Sequence, residues 1–152
     1  MSYQIGDEIP SITLQDTDGN YVTIKSGTDK NTILFFFPLA FTGVCTTEMC
    51  TVRDNMKIYE SLRTDVYGIS IDSFFCLKAF KESTNLNFNL LSDFNKVQSA
   101  NFGVLNNDHF GMIGVAKRSV FVLDSDMKLL HSEILKDAGK LPNFYKIKEA
   151  LS

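Results

Sequence analysis

The residues best suited to chemistry are two cysteines, Cys45 and Cys50, which lie five positions apart just after the most hydrophobic run of the chain. Pro38 and the turn residues Thr42 and Gly43 stand between that run and Cys45. A strand that ends at Pro38 and a helix that begins near Gly43 would make Thr42 the N-cap, whose hydroxyl can accept a hydrogen bond from an amide two or three residues later. Cys45 would then lie in the first helical turn.

Cys45 is predicted from this position to be a reactive thiol. Unpaired amides and the positive end of the helix dipole favour an anion there, and the thiolate is the nucleophilic form of cysteine. Gly43 leaves room for a small molecule beside the backbone. The carboxylate of Glu48 opposes ionisation of the thiol, so a cation is needed to offset it. The spacing fits equally well with Cys45 as a small buried residue at the top of an apolar helix face.

Cys50 is predicted to lie on a different face of the same helix, about 140° round from Cys45 at about 100° per residue. That face is polar, which argues against Cys50 as a core residue. In an intact helix the two Cα atoms would be about 8.5–9 Å apart, whereas a disulfide needs less than about 7 Å. A disulfide between them therefore requires the first turn to unwind, and helix ends open at low cost.

Length and composition limit the class of protein. The 152 residues suit one domain, residues 1–152, with a core that needs no disulfide staples. The net charge is −3, and the sequence shows neither a basic block for nucleic acid nor the roughly 18 apolar residues of a membrane helix. The first residues do not resemble a signal peptide, and three cysteines are not typical of a small secreted protein stabilised by disulfides. We therefore expect a cytoplasmic protein.

The apolar pattern predicts an α/β fold with a mixed sheet. A strand–helix–strand order indicates a parallel pair with a right-handed crossover, and a hairpin adds antiparallel strands. The predicted elements are a strand pair around Asp18 and Gly19, a buried strand over 31–37, a helix over 43–63, a buried strand over 65–71, a helix over 73–83 with Phe75, Leu77, Ala79 and Phe80 as its apolar residues, a hairpin turning near 124–126 and a closing helix in PNFYKIKEAL. The polar stretch 85–107 is predicted to hold loops and one short helix around 97–102.

The segments PLAFTGVC (38–45) and CTTEMCTVRD (45–54) resemble the peroxiredoxins of the AhpC/TSA superfamily. The second segment is most similar to the Q-type, or bacterioferritin-comigratory, subgroup, whose resolving cysteine lies five positions after the reactive one. KRSVFVLD (117–124) matches the strand that bears the family's active-site arginine, and VYGISIDS (66–73) fits another family strand. The resemblance implies a thioredoxin-like fold, a central mixed sheet flanked by helices, with the N-terminal hairpin as an extension.

The resemblance also implies roles for individual residues. It assigns Cys45 as the peroxidatic nucleophile, Thr42 as a hydrogen-bond partner of the thiolate and the peroxide, and Pro38 as a shield of the pocket. Arg118 supplies the cation that the local sequence lacks. The matching positions with supporting roles are Gly43, Val44 and Glu48.

The implied activity is a thiol-dependent peroxidase acting on hydrogen peroxide or organic hydroperoxides. Cys45 would become a sulfenic acid, which Cys50 would resolve as a Cys45–Cys50 disulfide. A thioredoxin-like or other dithiol reductant would restore both thiols by exchange. The cycle requires neither a metal nor an organic cofactor. Relatives are monomers or homodimers, and the preferred peroxide stays open.

Several alternatives remain at this stage. A one-cysteine peroxiredoxin would use an external thiol, and Cys76 could take the resolving role instead of being an inert core thiol. A thioredoxin-type disulfide oxidoreductase would normally show C-x-x-C rather than C-x4-C. A redox-inert binding module could share the fold. A zinc site needs about four soft ligands, and His109 and His131 lie far from the cysteine pair in sequence.

Overall fold

The computed structural model of the chain describes residues 2–152. In chain order the elements are β1 (Ile12–Gln15), β2 (Tyr21–Ile24), β3 (Asn31–Phe36), α1 (Gly43–Asp54), α2 (Met56–Ser61), β4 (Thr64–Ser70), α3 (Phe74–Thr84), β5 (Asn89–Ser92), α4 (Val97–Asn101), β6 (Leu105–Asn106), β7 (Val115–Ala116), β8 (Ser119–Leu123), β9 (Leu129–Ile134) and α5 (Phe144–Leu151). The predicted α/β class is confirmed.

The central sheet has seven strands in the order β2-β1-β5-β4-β3-β8-β9. Strands β3, β4 and β5 run parallel, while β8 pairs antiparallel with β3 and with β9. The sheet is therefore mixed, as predicted. Strand β3 lies near the centre of the sheet, and its residues 32–36 are all buried, because other elements cover both of its faces.

Two apolar cores lie on opposite faces of this sheet. Alternate residues of β3 divide between them: Ile33 and Phe35 face one core, whereas Leu34 and Phe36 face the other. The first core holds the buried faces of the helices that follow β3, β4 and β9, including the residues of α1, α2, α3 and α5. This arrangement seats the start of α1 against the sheet at the end of β3, and Cys45 belongs to the first core.

Gly68 in β4 allows helix α1 to pack closely against the sheet. A Cβ at this position would lie 2.7 Å from Leu90 Cδ2 and 3.2 Å from Met49 Sδ, which is one helical turn beyond Cys45. We expect Gly68→Ala to lower the free energy of unfolding by about 1–3 kcal/mol, because the added methyl overpacks the core beneath α1. Denaturant unfolding measures this change, and an unaltered midpoint would contradict the close packing described here.

The N-terminal strand pair is confirmed. Strands β1 and β2 are antiparallel, and Gly19 in the turn between them has φ +80°. The carboxylate of Asp16 accepts the amides of Asp18 and Asn20 and so fixes the turn. Strand β1 also joins the main sheet through a single pairing with β5, so the hairpin is an edge extension of the sheet.

The single helix predicted over 43–63 is wrong in one respect, because the structure has two helices there. Helix α1 ends at Asp54, Asn55 interrupts the chain, and α2 begins at Met56. The Asn55 side chain donates to the Thr51 carbonyl at 2.8 Å and so competes with helical hydrogen bonding. The apolar stripe still continues across the break into the first core, which is why periodicity alone does not reveal it.

Two other predictions need correction. The polar stretch 85–107 contains the predicted short helix, α4, but also strand β5, whose residues Leu90 and Leu91 are fully buried. In α3 the buried apolar residues are Leu77 and Phe80, whereas Phe75 is 72% exposed and Ala79 is also exposed. Phe75 stacks on Phe74, with ring centroids 4.1 Å apart, at the solvent side of the helix.

The hairpin near 124–126 and the closing helix are both confirmed, as β8, β9 and α5. Within residues 2–152 no helix has the length and apolar character that crossing a membrane requires.

Candidate active site

A loop, residues 37–42, connects β3 to α1, and Cys45 is the third residue of that helix. Strand β3 ends at Phe36, and α1 begins at Gly43 with Thr42 as its N-cap. Cys45 therefore lies in the first turn, as the sequence indicated, where amide N–H groups lack helical partners. The residue is only 1% exposed, so its side chain is almost fully shielded from solvent.

Arg118 meets Cys45 from the neighbouring strand. It directly precedes β8, whose Ser119 pairs with Phe36 at the end of β3. The guanidinium donates to Cys45 Sγ from Nη1 at 3.4 Å and from Nη2 at 3.3 Å. Arg118 is only 2% exposed, so this contact is shielded from water. The structure thus brings together the thiol and the cation that the resemblance had named, although they lie 73 residues apart in sequence.

Glu48 completes a buried cluster of three charged or ionisable groups. Its side chain lies one helical turn beyond Cys45, is 0% exposed, and accepts from Arg118 Nη1 at 2.6 Å. One guanidinium therefore contacts both the thiol and the carboxylate. The sequence analysis gave Glu48 as a charge that opposes ionisation of Cys45 and took Arg118 from the resemblance as the offsetting cation; the structure shows these two side chains in direct contact.

Burial raises the pKa of Glu48 from 4.5 to about 7, and the opposing attraction of Arg118 only reduces that rise. The second carboxylate oxygen of Glu48 is buried with no hydrogen-bond partner among residues 2–152, which adds to the cost of its charge. Burial also disfavours the charge of Arg118, but Glu48 and Cys45 outweigh that effect and raise the pKa of Arg118. The guanidinium therefore stays charged throughout the physiological range.

A pH dependence of stability follows from the raised pKa of Glu48. Between about pH 4.5 and 7 the folded protein holds the Glu48 proton more tightly than the unfolded chain does. The Glu48 contribution to stability is therefore complete below pH 4.5 and is lost as the pH rises through 7. Glu48→Gln mimics the protonated acid and keeps an oxygen for Arg118, so we expect wild type to lose stability relative to this variant over that range. Denaturant unfolding at several pH values measures the difference, and an increase in the relative stability of wild type would contradict the assignment.

The carbonyl of Ala138 fixes the other side of Arg118. It accepts from Nε at 3.3 Å and from Nη2 at 3.0 Å, so each of the three guanidinium nitrogens has a partner. This contact orients the plane of the guanidinium toward Cys45 and Glu48. The sequence analysis missed Ala138, because a backbone acceptor supplied by a loop leaves no signal in residue type or spacing.

Thr42 is the N-cap residue, but the predicted side-chain cap is wrong. The hydroxyl accepts no amide hydrogen bond from residues 2–152; it donates instead to the Leu39 carbonyl at 2.8 Å, within the same loop. The backbone carbonyl of Thr42 does accept the Thr46 amide at 2.9 Å and starts the helix. The Thr42 side chain thus stabilises the loop in this state and faces the cavity described next.

Two cavities adjoin Arg118 and Ala138. One, of about 270 Å³, is lined by Thr42, Gly43 and Val44 on one side and by the turn residues His109, Phe110 and Met112 on the other. The second, of about 220 Å³, is lined in part by Pro38. The predicted residues Pro38, Thr42, Gly43 and Val44 therefore all lie around the cluster. The turn opposite them was missed, since it falls in a loop without periodicity.

Cys50 lies further along the same helix and is partly buried. Helix α1 is continuous from Gly43 to Asp54, so Cys45 and Cys50 keep helical spacing, and all three cysteines of the chain are free thiols. The expectation that the first turn must unwind before these two sulfurs can bond therefore applies to the structure as it stands.

Cys76 lies in a separate environment in α3. Its sulfur donates to Asp72 Oδ1 at 3.8 Å and packs against the first core. Partial burial, with a smaller effect from the carboxylate of Asp72, raises the pKa of Cys76. Cys76 is therefore mostly protonated at neutral pH, which lowers its reactivity as a nucleophile.

The chain is similar to several known proteins. Residues 5–132 match the AhpC/TSA family. The chain is 36% identical to peroxiredoxin Bcp of Escherichia coli over 129 residues, which cover 83% of this chain and 82% of that protein. It is 34% identical to the chloroplastic 2-Cys peroxiredoxin BAS1 of Spinacia oleracea, covering 86% of this chain but only 52% of the spinach protein's length. The crystal structure of peroxidoxin BcpB from Mycobacterium tuberculosis superposes with a TM-score of 0.81 at 30% identity, over 97% of this chain and 93% of that one.

Proposed function

This chain belongs to the AhpC/TSA family of peroxiredoxins, and on that premise we propose that it is a thiol peroxidase with Cys45 as its nucleophile. The observation that supports this most strongly is the buried guanidinium of Arg118, which contacts the Cys45 sulfur at 3.3 and 3.4 Å beside a cavity of about 270 Å³. A fixed cation in this place stabilises negative charge that develops at the reacting atoms.

The chemical step transfers one oxygen to sulfur. The Cys45 thiolate attacks the terminal oxygen of a hydroperoxide; a sulfur–oxygen bond forms and the oxygen–oxygen bond breaks. Sulfur loses two electrons and becomes a sulfenic acid, while the other half of the peroxide leaves as an alkoxide or hydroxide and takes up a proton from solvent. Charge moves from sulfur to the departing oxygen, and fixed donors in a water-poor site stabilise that shift most effectively.

The loop and strand residues supply those donors. Arg118 is already fixed by Glu48 and Ala138, so it needs no reorganisation when peroxide arrives. The Thr42 hydroxyl, which lines the larger cavity, can rotate from the Leu39 carbonyl toward the peroxide and the thiolate. Pro38 lacks an N–H and is buried, so it shields the guanidinium side of the site from water.

Cys50 resolves the sulfenic acid in this proposal. The first turn of α1 unwinds, the Cys50 sulfur attacks the Cys45 sulfur, a disulfide forms and the sulfenic oxygen leaves as water. A thioredoxin-like dithiol then reduces the Cys45–Cys50 disulfide by exchange and is itself oxidised. We further propose that residues 1–152 form one peroxiredoxin domain that works in the cytoplasm as a monomer or homodimer.

The experiment that tests this function is peroxide oxidation followed by mass mapping. One equivalent of hydrogen peroxide is added to the reduced protein, and the bonded cysteines are identified by digestion without reductant. We expect a Cys45–Cys50 bond, and we expect the same bond in Cys76→Ser, the matched control that removes the third thiol.

A Cys45–Cys76 bond would transfer the resolving role to Cys76, and a lasting sulfenic acid on Cys45 would indicate a one-cysteine enzyme. Three unmodified thiols with the peroxide intact would refute the peroxidase function altogether.

A further inference from the structure

A carboxylate from beyond the end of β4 holds the middle of the active-site loop, residues 37–42. The Ala40 amide donates to Asp72 Oδ2 at 2.8 Å across 32 positions of sequence. Ala40 is 8% exposed, so its N–H requires a partner within the protein. None of the roles proposed above involves Asp72.

Asp72 is itself fixed by the parallel strands. Ser70 at the end of β4 donates its hydroxyl to the same carboxylate oxygen at 2.6 Å, and Ser92 at the end of β5 donates to the Asp72 carbonyl at 2.6 Å. Among residues 2–152, the other carboxylate oxygen receives only the Cys76 thiol, at 3.8 Å. The loop amide is therefore attached to the rigid centre of the sheet through a single oxygen atom.

The residue after Ala40 is strained. Phe41 has φ +65°, a left-handed conformation that is unfavourable for a bulky side chain. Its ring is 56% exposed and lies edge-on to Phe80, with centroids 5.2 Å apart. Such a conformation persists only while its flanks are held, and Asp72 holds one flank directly. Release of Ala40 would let Phe41 relax and would free Thr42, where α1 begins.

We propose that Asp72 is a positioning residue that holds the loop and the first turn of α1 in the closed form, and that its release belongs to the opening that lets Cys45 reach Cys50. The proposal rests on the function proposed above. It assigns opposite effects to one contact, because the closed form favours the attack of Cys45 on peroxide, whereas the open form is needed for the disulfide.

The test compares three variants with wild type. Asp72→Ala removes the acceptor. Asp72→Asn is the conservative variant, because its amide oxygen can keep both the Ala40 amide and the Ser70 hydroxyl while its NH2 replaces the oxygen that faces Cys76. Asp93→Ala is the matched control: the Asp93 carboxylate likewise accepts backbone amides and a serine hydroxyl, but those partners belong to α4.

Three quantities are measured for each protein. Hydrogen exchange of amides 40–46 in the reduced state reports opening without any peroxide. Rapid mixing with hydrogen peroxide in a Cys50→Ser background gives the rate of the first step. The rate of disulfide closure after one equivalent of peroxide, with Cys50 present, gives the second.

For Asp72→Ala we expect about tenfold faster exchange of amides 40–46, a first step slowed several-fold and a disulfide closure accelerated several-fold, since a buried amide loses its acceptor. Asp72→Asn should restore wild-type values. Asp93→Ala should leave all three quantities unchanged. Should Asp72→Ala fail to fold, Ser70→Ala removes a contact that orients the same carboxylate and should shift all three quantities in the same directions by less.

The proposal is overturned if Asp72→Ala, or Ser70→Ala in its place, opens amides 40–46 no more than Asp93→Ala does, or if both chemical steps change in the same direction. The hydrogen-exchange measurement uses no peroxide, so it tests the role of Asp72 independently of the proposed peroxidase function. A wild-type protein that ignores peroxide refutes the proposed function, while the exchange rates still decide whether Asp72 holds the loop.

Discussion

Cys45→Ser is expected to lower the rate constant for peroxide consumption by about four orders of magnitude or more, because the proposed reaction depends on this one nucleophile. Serine keeps the size and burial of the residue, but its hydroxyl is neither ionised nor oxidised under these conditions. The measurement is peroxide loss with dithiothreitol as the reductant, so the result does not depend on a particular physiological partner.

The two other cysteines supply the controls for this prediction. Cys76→Ser should consume peroxide at the wild-type rate, because Cys76 lies in α3, away from the cavity. Cys50→Ser should still complete the first step with one equivalent. Peroxide consumption by Cys45→Ser at the wild-type rate would show that the Cys45–Arg118 contact is only structural.

Arg118→Met is expected to affect both rate and stability. The first step should slow by about 100- to 1000-fold, the typical loss when a fixed donor is removed from a transition state. The free energy of unfolding should fall by about 3–5 kcal/mol, because Glu48 would be left buried without its cation. Methionine keeps much of the apolar volume of the arginine stem, so packing contributes little to either change.

A double variant separates the two effects of Arg118. Glu48→Gln added to Arg118→Met removes the unpaired carboxylate, so stability should recover while the rate of the first step stays low. Stopped-flow mixing and denaturant unfolding of the same preparations provide the two numbers. Recovery of the rate together with stability would mean that Arg118 serves only to neutralise Glu48.

Local sequence was enough to predict the parts of the fold where one force dominates. The run that forms β3 is apolar on both faces, and the helix stripe repeats through Cys45, Met49 and Val52, so burial alone predicts these elements. The placement of Cys45 at the start of a helix followed from Pro38 and Gly43. The family resemblance then named Arg118, which no local pattern distinguishes from a solvated residue at a strand end.

The features that sequence did not reveal depend on contacts between distant segments. The backbone carbonyl of Ala138 accepts from Arg118, and the carboxylate of Asp72 accepts from the Ala40 amide. Neither acceptor has a spacing signature in the sequence. The charge of Glu48 predicts an exposed position, yet Glu48 is fully buried and pairs with Arg118, the residue just before β8. Strand β5 is only four residues long within a polar stretch, so its burial depends on strands β4 and β1 on either side.

The most direct test of the central claim uses a chain with Cys45 as its single cysteine, the double variant Cys50→Ser, Cys76→Ser. One equivalent of hydrogen peroxide is added in the presence of dimedone, which traps sulfenic acid. The intact protein and its digest are then analysed by mass spectrometry. We predict one dimedone adduct per chain, located on Cys45, with the peroxide consumed. An unmodified Cys45 thiol beside unconsumed peroxide would contradict the account.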